Sequence, residues 1–128
     1  MPATRILLYR EGSWVPFKEW FEALPLKPRL ACLRLIERLR TQGHEMRRPF
    51  AAPLARGIHE LRFGVQGVNY RVLYFFHGEA VVVLSHGITK QRAAVPPVEI
   101  WRAVERRARF RARPEAHLLW VEVRDDAP

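Results

Sequence analysis

The residues of this chain that could carry out chemistry lie in its central segment, between positions 58 and 99. They are Glu60, Arg62, Arg71, His86 and Lys90. The sequence shows no cluster with metal-ligand spacing and no nucleophile triad. Arginine and lysine bind phosphate, and histidine or glutamate can move protons. Such a set suits metal-independent cleavage of RNA, in which the 2′-hydroxyl attacks the adjacent phosphorus and the protein stabilises the developing negative charge.

Arg71 is the leading candidate for contact with phosphate. It is a single charge in an apolar strand pattern, next to Tyr70 and the run Val72–Tyr74. A buried guanidinium without a partner would be costly, so Arg71 must meet either a carboxylate or an external phosphate. The alternative to a functional role is a structural ion pair with Glu60 or Glu79.

Glu60 and Arg62 are two residues apart, and therefore share one face of a strand. A salt bridge and a phosphate clamp are both compatible with this spacing. Glu60 is the carboxylate nearest to both arginines in sequence, so it is the default candidate for the general base.

His86, Lys90 and Arg92 follow the third predicted strand. Lys90 and Arg92 are predicted to lie in a loop beside the start of the last helix, whose positive end also attracts anions. A solvated lysine is the alternative. The ordinary pKa of histidine lies near neutrality, so His86 is a candidate proton carrier. Its alternative is a core histidine bonded to a backbone carbonyl.

The composition predicts one basic domain. The chain has 128 residues, of which 48% are apolar, and 22 Lys and Arg against 13 Asp and Glu give a formal net charge of +9. Nearly all the cations are arginine, and this charge favours nucleic acid or an acidic protein as partner. A GC-rich genome or a heat-adapted source is the alternative explanation of the arginine excess.

The single cysteine and the lack of a long apolar segment predict a soluble, cytoplasmic protein with no membrane contact. Cys32 lies in a leucine-rich helical pattern, which is typical of a buried thiol. No run approaches the roughly 20 apolar residues that span a bilayer, and no leader pattern opens the sequence.

The elements that position the candidate residues are a strand, a helix hairpin, three strands and a helix. Their predicted bounds are Arg5–Tyr9, 14–24, 28–43, Ile58–Phe63, Asn69–Phe76, Ala80–Leu84 and a helix opened by Pro96 and Pro97. Short turns predict that the three strands form an antiparallel meander. The order predicts an α+β fold with its helices on one face of the sheet and the other face free for binding.

The last helix and the flanking segments carry most of the other arginines. In that helix, Val98, Trp101, Ala103 and Val104 are predicted to face inward, and Arg102, Arg106, Arg107 and Arg109 outward. Glu45–Arg56 is predicted to be a basic loop, and with the later loop it supplies the expected RNA-binding residues Arg47, Arg48, Arg56 and Arg92.

Two parts of the chain are expected to differ in organisation. Residues 1–113 are predicted to form the domain, and residues 114–128 a C-terminal extension with a strand-like stretch at His117–Val123. This stretch could pair with a free sheet edge, cover the core, or be partly disordered.

Three blocks in this order resemble the RelE/ParE superfamily of toxins, in particular its HigB-like branch related to a phage-derived protein. The first is Arg-Gly-Ile-His-Glu-Leu-Arg at 56–62, and the second is Gly-Val-Asn-Tyr-Arg-Val-Leu-Tyr-Phe at 67–75. The third runs Leu-Ser-His-Gly-Ile-Thr-Lys from 84 to 90 and continues to Pro96 and Glu99. The resemblance covers roughly Ile6 to Arg109. One departure is that Gln91 follows Lys90 where the family has a second lysine.

This resemblance implies a type II toxin that acts as an endoribonuclease on messenger RNA in the ribosomal decoding site, without a cofactor. Arg62, Arg71 and Lys90 would hold phosphate, and the base would be Glu60 or a group of the ribosome or substrate. The implied partners are the ribosome, messenger RNA and a cognate antitoxin, expected to be a helix-turn-helix protein. The alternatives are a non-enzymatic ParE-like gyrase inhibitor and a lapsed toxin that only binds its antitoxin.

Overall fold

The computed structural model describes residues 4–90 and 94–120, which form three helices and six strands. The elements are β1 (Arg5–Tyr9), α1 (Pro16–Glu22), α2 (Leu26–Gln42), β2 (Ala51–Ala55), β3 (Ile58–Val65), β4 (Val68–His77), β5 (Val81–Lys90), α3 (Pro97–Ala112) and β6 (Leu118–Trp120). Short 3-10 turns follow α2 at Gly43–Glu45 and α3 at Pro114–Ala116. The predicted α+β class is confirmed.

The strands form one mixed sheet in the order β2-β3-β4-β5-β1-β6. β1 runs parallel to β5, and the other neighbouring pairs are antiparallel. The predicted meander corresponds to β3, β4 and β5 only, so a simple hairpin-plus-meander description of the sheet is wrong. The helix pair α1 and α2 lies in the long connection from β1 to β5. Two parallel strands require such a long connection, whereas antiparallel strands can be joined by a tight turn.

β2 lies where the sequence predicts a loop. Ala51 pairs with Leu61 and Pro53 with His59 along the antiparallel β3, so the loop prediction for Glu45–Arg56 is wrong over Ala51–Ala55. Alanine and proline are weak strand formers, which hides the strand in the sequence. Proline has no backbone N–H to donate. Pro53 is tolerated because β2 is an edge strand, which has a neighbouring strand on one side only.

β5 continues beyond its predicted end at Leu84 and reaches Lys90. Leu73 pairs with His86 while Tyr74 pairs with Leu84, so Ser85 is the extra residue of a bulge. The bulge interrupts the two-residue alternation of side chains between the faces of the sheet, and this alternation is the sequence signal that predicts where a strand ends. His86 and the backbone of Lys90 therefore belong to the sheet, and the prediction that Lys90 lies in a loop is wrong.

The helices cover both faces of the sheet, because successive strand residues point to opposite sides. The face toward α1 and α2 buries Leu8, Leu61, Val72, Tyr74 and Leu84. The face toward α3 buries Leu7, Tyr9, Leu73, Phe75 and Val83. The prediction that all helices lie on one face is wrong, since α3 packs its own apolar stripe, including Ala103 and Phe110, on the second face.

α3 is rotated relative to its predicted orientation. Val98 and Trp101 are 53% and 49% exposed, whereas Arg106 is only 8% exposed. Ala103, Arg106 and Phe110 follow the i, i+3, i+7 spacing of one helix face, and this is the face that packs on the sheet. Arg106 is therefore part of the interior, contrary to the prediction.

The C-terminal segment contributes an edge strand. Leu118–Trp120 forms β6, in which Leu119 pairs with Leu8 of β1. Val121–Val123, the rest of the predicted strand-like stretch, lie outside the described residues. The division into 1–113 and 114–128 stays a prediction. In residues 4–90 and 94–120, no helix is long and apolar enough to cross a membrane.

Gly87 is expected to be intolerant of any side chain. A Cβ built at Gly87 would collide with the indole of Trp20, which is held there by a 3.0 Å hydrogen bond from its Nε1 to Thr89 Oγ1. Gly87→Ala should lower the free energy of unfolding by about 1–3 kcal/mol, the usual cost of overpacking, as measured by urea unfolding. Gly64→Ala is the matched strand control, because its Cβ would meet no atom closer than 3.7 Å. Equal stability of the two variants would contradict this packing.

Candidate phosphate-binding site

Two arginines lie directly opposite each other in the β3–β4 hairpin. The connecting turn places Gln66 and Gly67 at φ of 53° and 80°, the conformation of a type I′ turn, which is the hairpin turn best matched to strand twist. The turn fixes the register in which Val65 faces Val68, and hence Arg62 faces Arg71. A glycine at the second turn position thus determines which side chains meet in the site.

Glu60 joins the two guanidinium groups, and Glu60, Arg62 and Arg71 together are called the arginine–glutamate cluster below. Arg62 Nε lies 3.2 Å and Arg71 Nε 3.5 Å from Glu60 Oε1. Like charges facing each other across a strand pair repel. The shared carboxylate offsets this repulsion and leaves the cluster with a net positive charge.

Burial differs between the members of the cluster. Glu60 and Arg71 are 5% and 4% exposed, whereas the side chain of Arg62 is 31% exposed. Arg71 Nη1 donates a 2.9 Å hydrogen bond to the carbonyl of Tyr70. Burial lowers the pKa of Arg71 from its usual value, the charge of Glu60 opposes this, and Arg62 adds to it. Arginine titrates so high that Arg71 keeps its charge, and a neighbouring anion would therefore be attracted to it.

A cleft of about 300 Å³ opens beside the cluster. Both arginines line it, together with Phe50, Phe63 and Asn69. An anion in this cleft would be within reach of an accessible guanidinium and a buried one, the arrangement in which arginine forks recognise phosphate. The contacts of Glu60 Oε1 with both arginines favour a positioning role for this carboxylate over that of a free base.

The structure relates the other predicted site residues to this cleft as follows. Lys90 pairs with Asn69, a cleft residue, in the β4–β5 register. Arg92 lies outside the described residues. Arg47 and Arg48 line a different cleft on the α1 and α2 side of the sheet, and Arg56 stacks 4.3 Å from the ring centroid of Trp101 on α3. The predicted RNA-binding arginines are thus spread over several surfaces.

His86 belongs to a second buried polar group. Its Nδ1 lies 2.7 Å from Ser85 Oγ and 2.9 Å from Arg106 Nη1, and its Nε2 lies 3.4 Å from Glu99 Oε1. Arginine can only donate, so Nδ1 accepts and the ring hydrogen is on Nε2, toward Glu99. His86 is thus a buried histidine, but the predicted bond to a backbone carbonyl is wrong, because its partners are the side chains of Ser85, Arg106 and Glu99.

The environment of His86 keeps the ring neutral. Burial, reinforced by the charge of Arg106, lowers the pKa of His86 to about 4, although Glu99 acts in the opposite direction. A group with this pKa carries few protons at neutral pH, so the geometry favours a structural role. The sequence analysis did not predict that Arg106 is buried beside His86. Its spacing from Ala103 and Phe110, which puts all three on one helix face, is the signal that could have indicated this. In the described part of the chain, no three His, Cys, Asp or Glu side chains are grouped as a metal site requires.

Comparison with known protein families places the chain in the RelE/HigB-like toxin group. Within that group, the chain belongs to the family described as phage derived protein Gp49-like, whose profile matches residues 19–108. The matched segment contains the C-terminal part of α1, all of α2 and the whole arginine–glutamate cluster. Proteins of this family are generally toxin-like and associated with toxin–antitoxin pairs. The search of the curated proteins found no match.

The neutral, buried His86 should make the fold sensitive to acid. The unfolded ring takes up a proton near pH 6.5, whereas the folded ring does so only near pH 4. The neutral His86 ring therefore adds its full share to the free energy of unfolding above pH 6.5. This share is lost as the pH falls from 6.5 to 4, and it amounts to roughly 3 kcal/mol. Urea unfolding from pH 7 to 4 should show a smaller loss in His86→Gln than in the unmodified protein. His77→Gln, which replaces an exposed histidine, is the control, and identical losses in all three proteins would contradict the assignment.

Proposed function

We propose that this protein is the toxin of a type II toxin–antitoxin pair and cleaves messenger RNA bound to the ribosome, as a HigB-like endoribonuclease without a metal cofactor. The observation that carries the proposal is the arginine–glutamate cluster, in which two facing guanidinium groups share Glu60 beside an open cleft. Membership of a toxin-like family supports it.

The proposed reaction needs two things from the protein, orientation and charge stabilisation. The 2′-oxygen forms a bond to phosphorus while the bond to the 5′-oxygen breaks. The proton of the 2′-hydroxyl passes to a base, and the departing 5′-oxygen takes up a proton. Arg62 and Arg71 hold the phosphate and stabilise its extra charge, with Lys90 as a third cation. Glu60 fixes both arginines, and the base is a group of the ribosome or the substrate.

The proposed partners follow from the same charge distribution. The basic chain, with its formal net charge of +9, suits ribosomal RNA and an antitoxin that carries an acidic segment. An antitoxin that covers the cleft would block the reaction by excluding RNA. Since the ribosome is the site of action, the proposal places the protein in the cytoplasm.

A second candidate function is non-enzymatic. Lys90 is followed by Gln91 rather than by a second lysine. The loss of one cation would weaken stabilisation of the transition state and leave binding to another target intact. A ParE-like gyrase inhibitor or a lapsed toxin that binds only its antitoxin would have this property.

The cleavage proposal is tested by induced expression in a bacterial host, with growth followed and messenger RNA 5′ ends mapped during translation. The unmodified protein should arrest growth and produce new in-frame breaks. Removing one donor to developing charge costs about 100- to 1000-fold in rate, so Arg62→Ala should abolish most breaks. Arg71→Lys keeps the buried charge but loses the fork, and should also reduce them.

Arg34→Ala is the matched control, because it removes one exposed arginine of α2 that does not line the cleft. It should leave the breaks at the level of the unmodified protein. The folded fraction of each variant is checked by circular dichroism. Breaks that persist in Arg62→Ala and Arg71→Lys would contradict the proposed site. Intact messages with growth arrest would support gyrase inhibition, and intact messages without arrest a lapsed toxin.

A further inference from the structure

A second cleft lies on the opposite face of the sheet from the arginine–glutamate cluster. It has a volume of about 350 Å³ and lies between the 3-10 turn after α2 and strands β2, β3 and β4. Four rings line it, those of His44, His59, Tyr74 and Phe76. We call it the aromatic pocket. The cleavage proposal makes no use of it.

The rings of the aromatic pocket are held in fixed orientations by one another. His44 stacks on Phe76 with ring centroids 3.6 Å apart and an angle of 16° between the planes. His59 stacks on Tyr74 at 5.4 Å and meets Phe76 edge-on at 5.1 Å. The Nε2 of His44 lies 3.4 Å from the carbonyl of Gly78, which orients that ring from its edge. Such walls suit a flat ring, because base–aromatic stacking needs a preformed planar surface.

The polar groups of the pocket can read the edge of a flat heterocycle. Burial lowers the pKa of His59, and the nearby His44 adds to this effect, so the His59 ring is neutral at pH 7 and has one donor and one acceptor. Burial also raises the pKa of Tyr74 to about 12, which keeps its hydroxyl protonated. Apart from these groups, Met46, Ala51 and Ala52 provide a small apolar lining.

Two arginines complete the pocket. Arg47 and Arg48 line it and are exposed to solvent. Arg47 Nη1 also donates a hydrogen bond of 3.3 Å to the backbone carbonyl of His44, which holds one guanidinium close to the residue whose ring would stack with a ligand. An anionic group attached to a stacked ring would meet these cations. Aromatic walls next to arginine are the combination that binds a base together with its phosphate.

We propose that the aromatic pocket binds a single nucleotide, with its base against His44 and His59 and its phosphate at Arg47 and Arg48. The volume is at the low end of the range of small-ligand sites, which run from about 300 to 1,000 Å³, so one nucleotide fits better than a dinucleotide. The ligand is either a free mononucleotide or one nucleotide of an RNA strand. The inference does not rest on the cleavage proposal, because the pocket and the arginine–glutamate cluster lie on different faces of the sheet.

The test is a titration of the purified protein with adenosine 5′-monophosphate, followed by NMR of the histidine ring protons. The chain has five histidines, so the ring signals provide a residue-by-residue readout. Saturable shifts of His44 and His59 are expected, with His77 and His117 unchanged. His44→Ala should weaken binding about 5- to 150-fold, the range of base–aromatic stacking on alanine substitution. His44→Phe keeps a stacking ring and should retain most of the affinity.

The phosphate contact is tested with Arg47→Ala and Arg48→Ala, each of which should weaken binding. Arg34→Ala is again the matched control, because it removes one exposed charge of α2 outside the pocket. Absence of saturable shifts would overturn the proposal. So would unchanged affinity in His44→Ala, or an equal loss in Arg34→Ala and Arg47→Ala, which would indicate general attraction to a basic chain.

Two further measurements separate the sources of the ligand and the two proposals. A single-stranded RNA tetranucleotide that binds more tightly than the mononucleotide and shifts the same histidines identifies a strand as the ligand, whereas tighter binding of the mononucleotide identifies a free nucleotide. Arg71→Lys should leave the nucleotide-induced shifts of the His44 and His59 rings unchanged, since this residue does not line the pocket. The pocket can therefore be confirmed or rejected whatever the outcome of the cleavage experiment.

Discussion

The interaction on which the proposed site depends is the sharing of one carboxylate by two arginines. Arg62 and Arg71 face each other because the β3–β4 turn, with its glycine at position 67, fixes the strand register. Two guanidinium groups in that relation repel unless a negative charge lies near both, and Glu60 Oε1 is placed to do this. The carboxylate lies within ion-pair distance of both arginines, which line the same cleft.

Different helices cover the two faces of the sheet. α1 and α2 pack on one face, and α3 packs on the other. On the α3 side, the helix covers the end of the sheet that carries Phe75, and Arg106 reaches His86 and the rings of Tyr9 and Trp14. This buried contact, 2.9 Å from nitrogen to nitrogen, helps set the position of α3. The described residues that line the cleft next to Arg62 and Arg71 come from β3, β4 and the segment just before β2.

The sequence was informative where local patterns determine structure. Two-residue alternation predicted the centre of β3, with Glu60 and Arg62 on one face, and proline at the start of a helix predicted α3. The lone charge of Arg71 in an apolar strand predicted that it would meet a carboxylate or a phosphate, and Glu60, one of the two carboxylates considered, lies 3.5 Å from it. These features depend on neighbours in sequence, and for this reason the sequence alone could predict them.

Features that depend on how one segment pairs or packs with another were not predictable in the same way. β2 is built from alanine and proline, and exists because β3 provides a partner. The bulge at Ser85 shifts the register of β5 and brings His86 into the sheet, and no local pattern indicates it. Arg106 is buried because His86, Ser85 and two aromatic rings surround it, all of them far away in sequence.

The central claim is that Arg62 and Arg71 bind one phosphate together, in addition to their ion pairs with Glu60. The most direct test is an NMR titration with inorganic phosphate that follows the Nε–Hε signals of the arginines, assigned by single substitutions. The account predicts that the signals of Arg62 and Arg71 shift with the same apparent affinity, more strongly than the signal of the exposed Arg34. If Arg71 stays unchanged at saturation and Arg62 responds no more than Arg34, Arg71 is only a structural partner of Glu60, and the account is wrong.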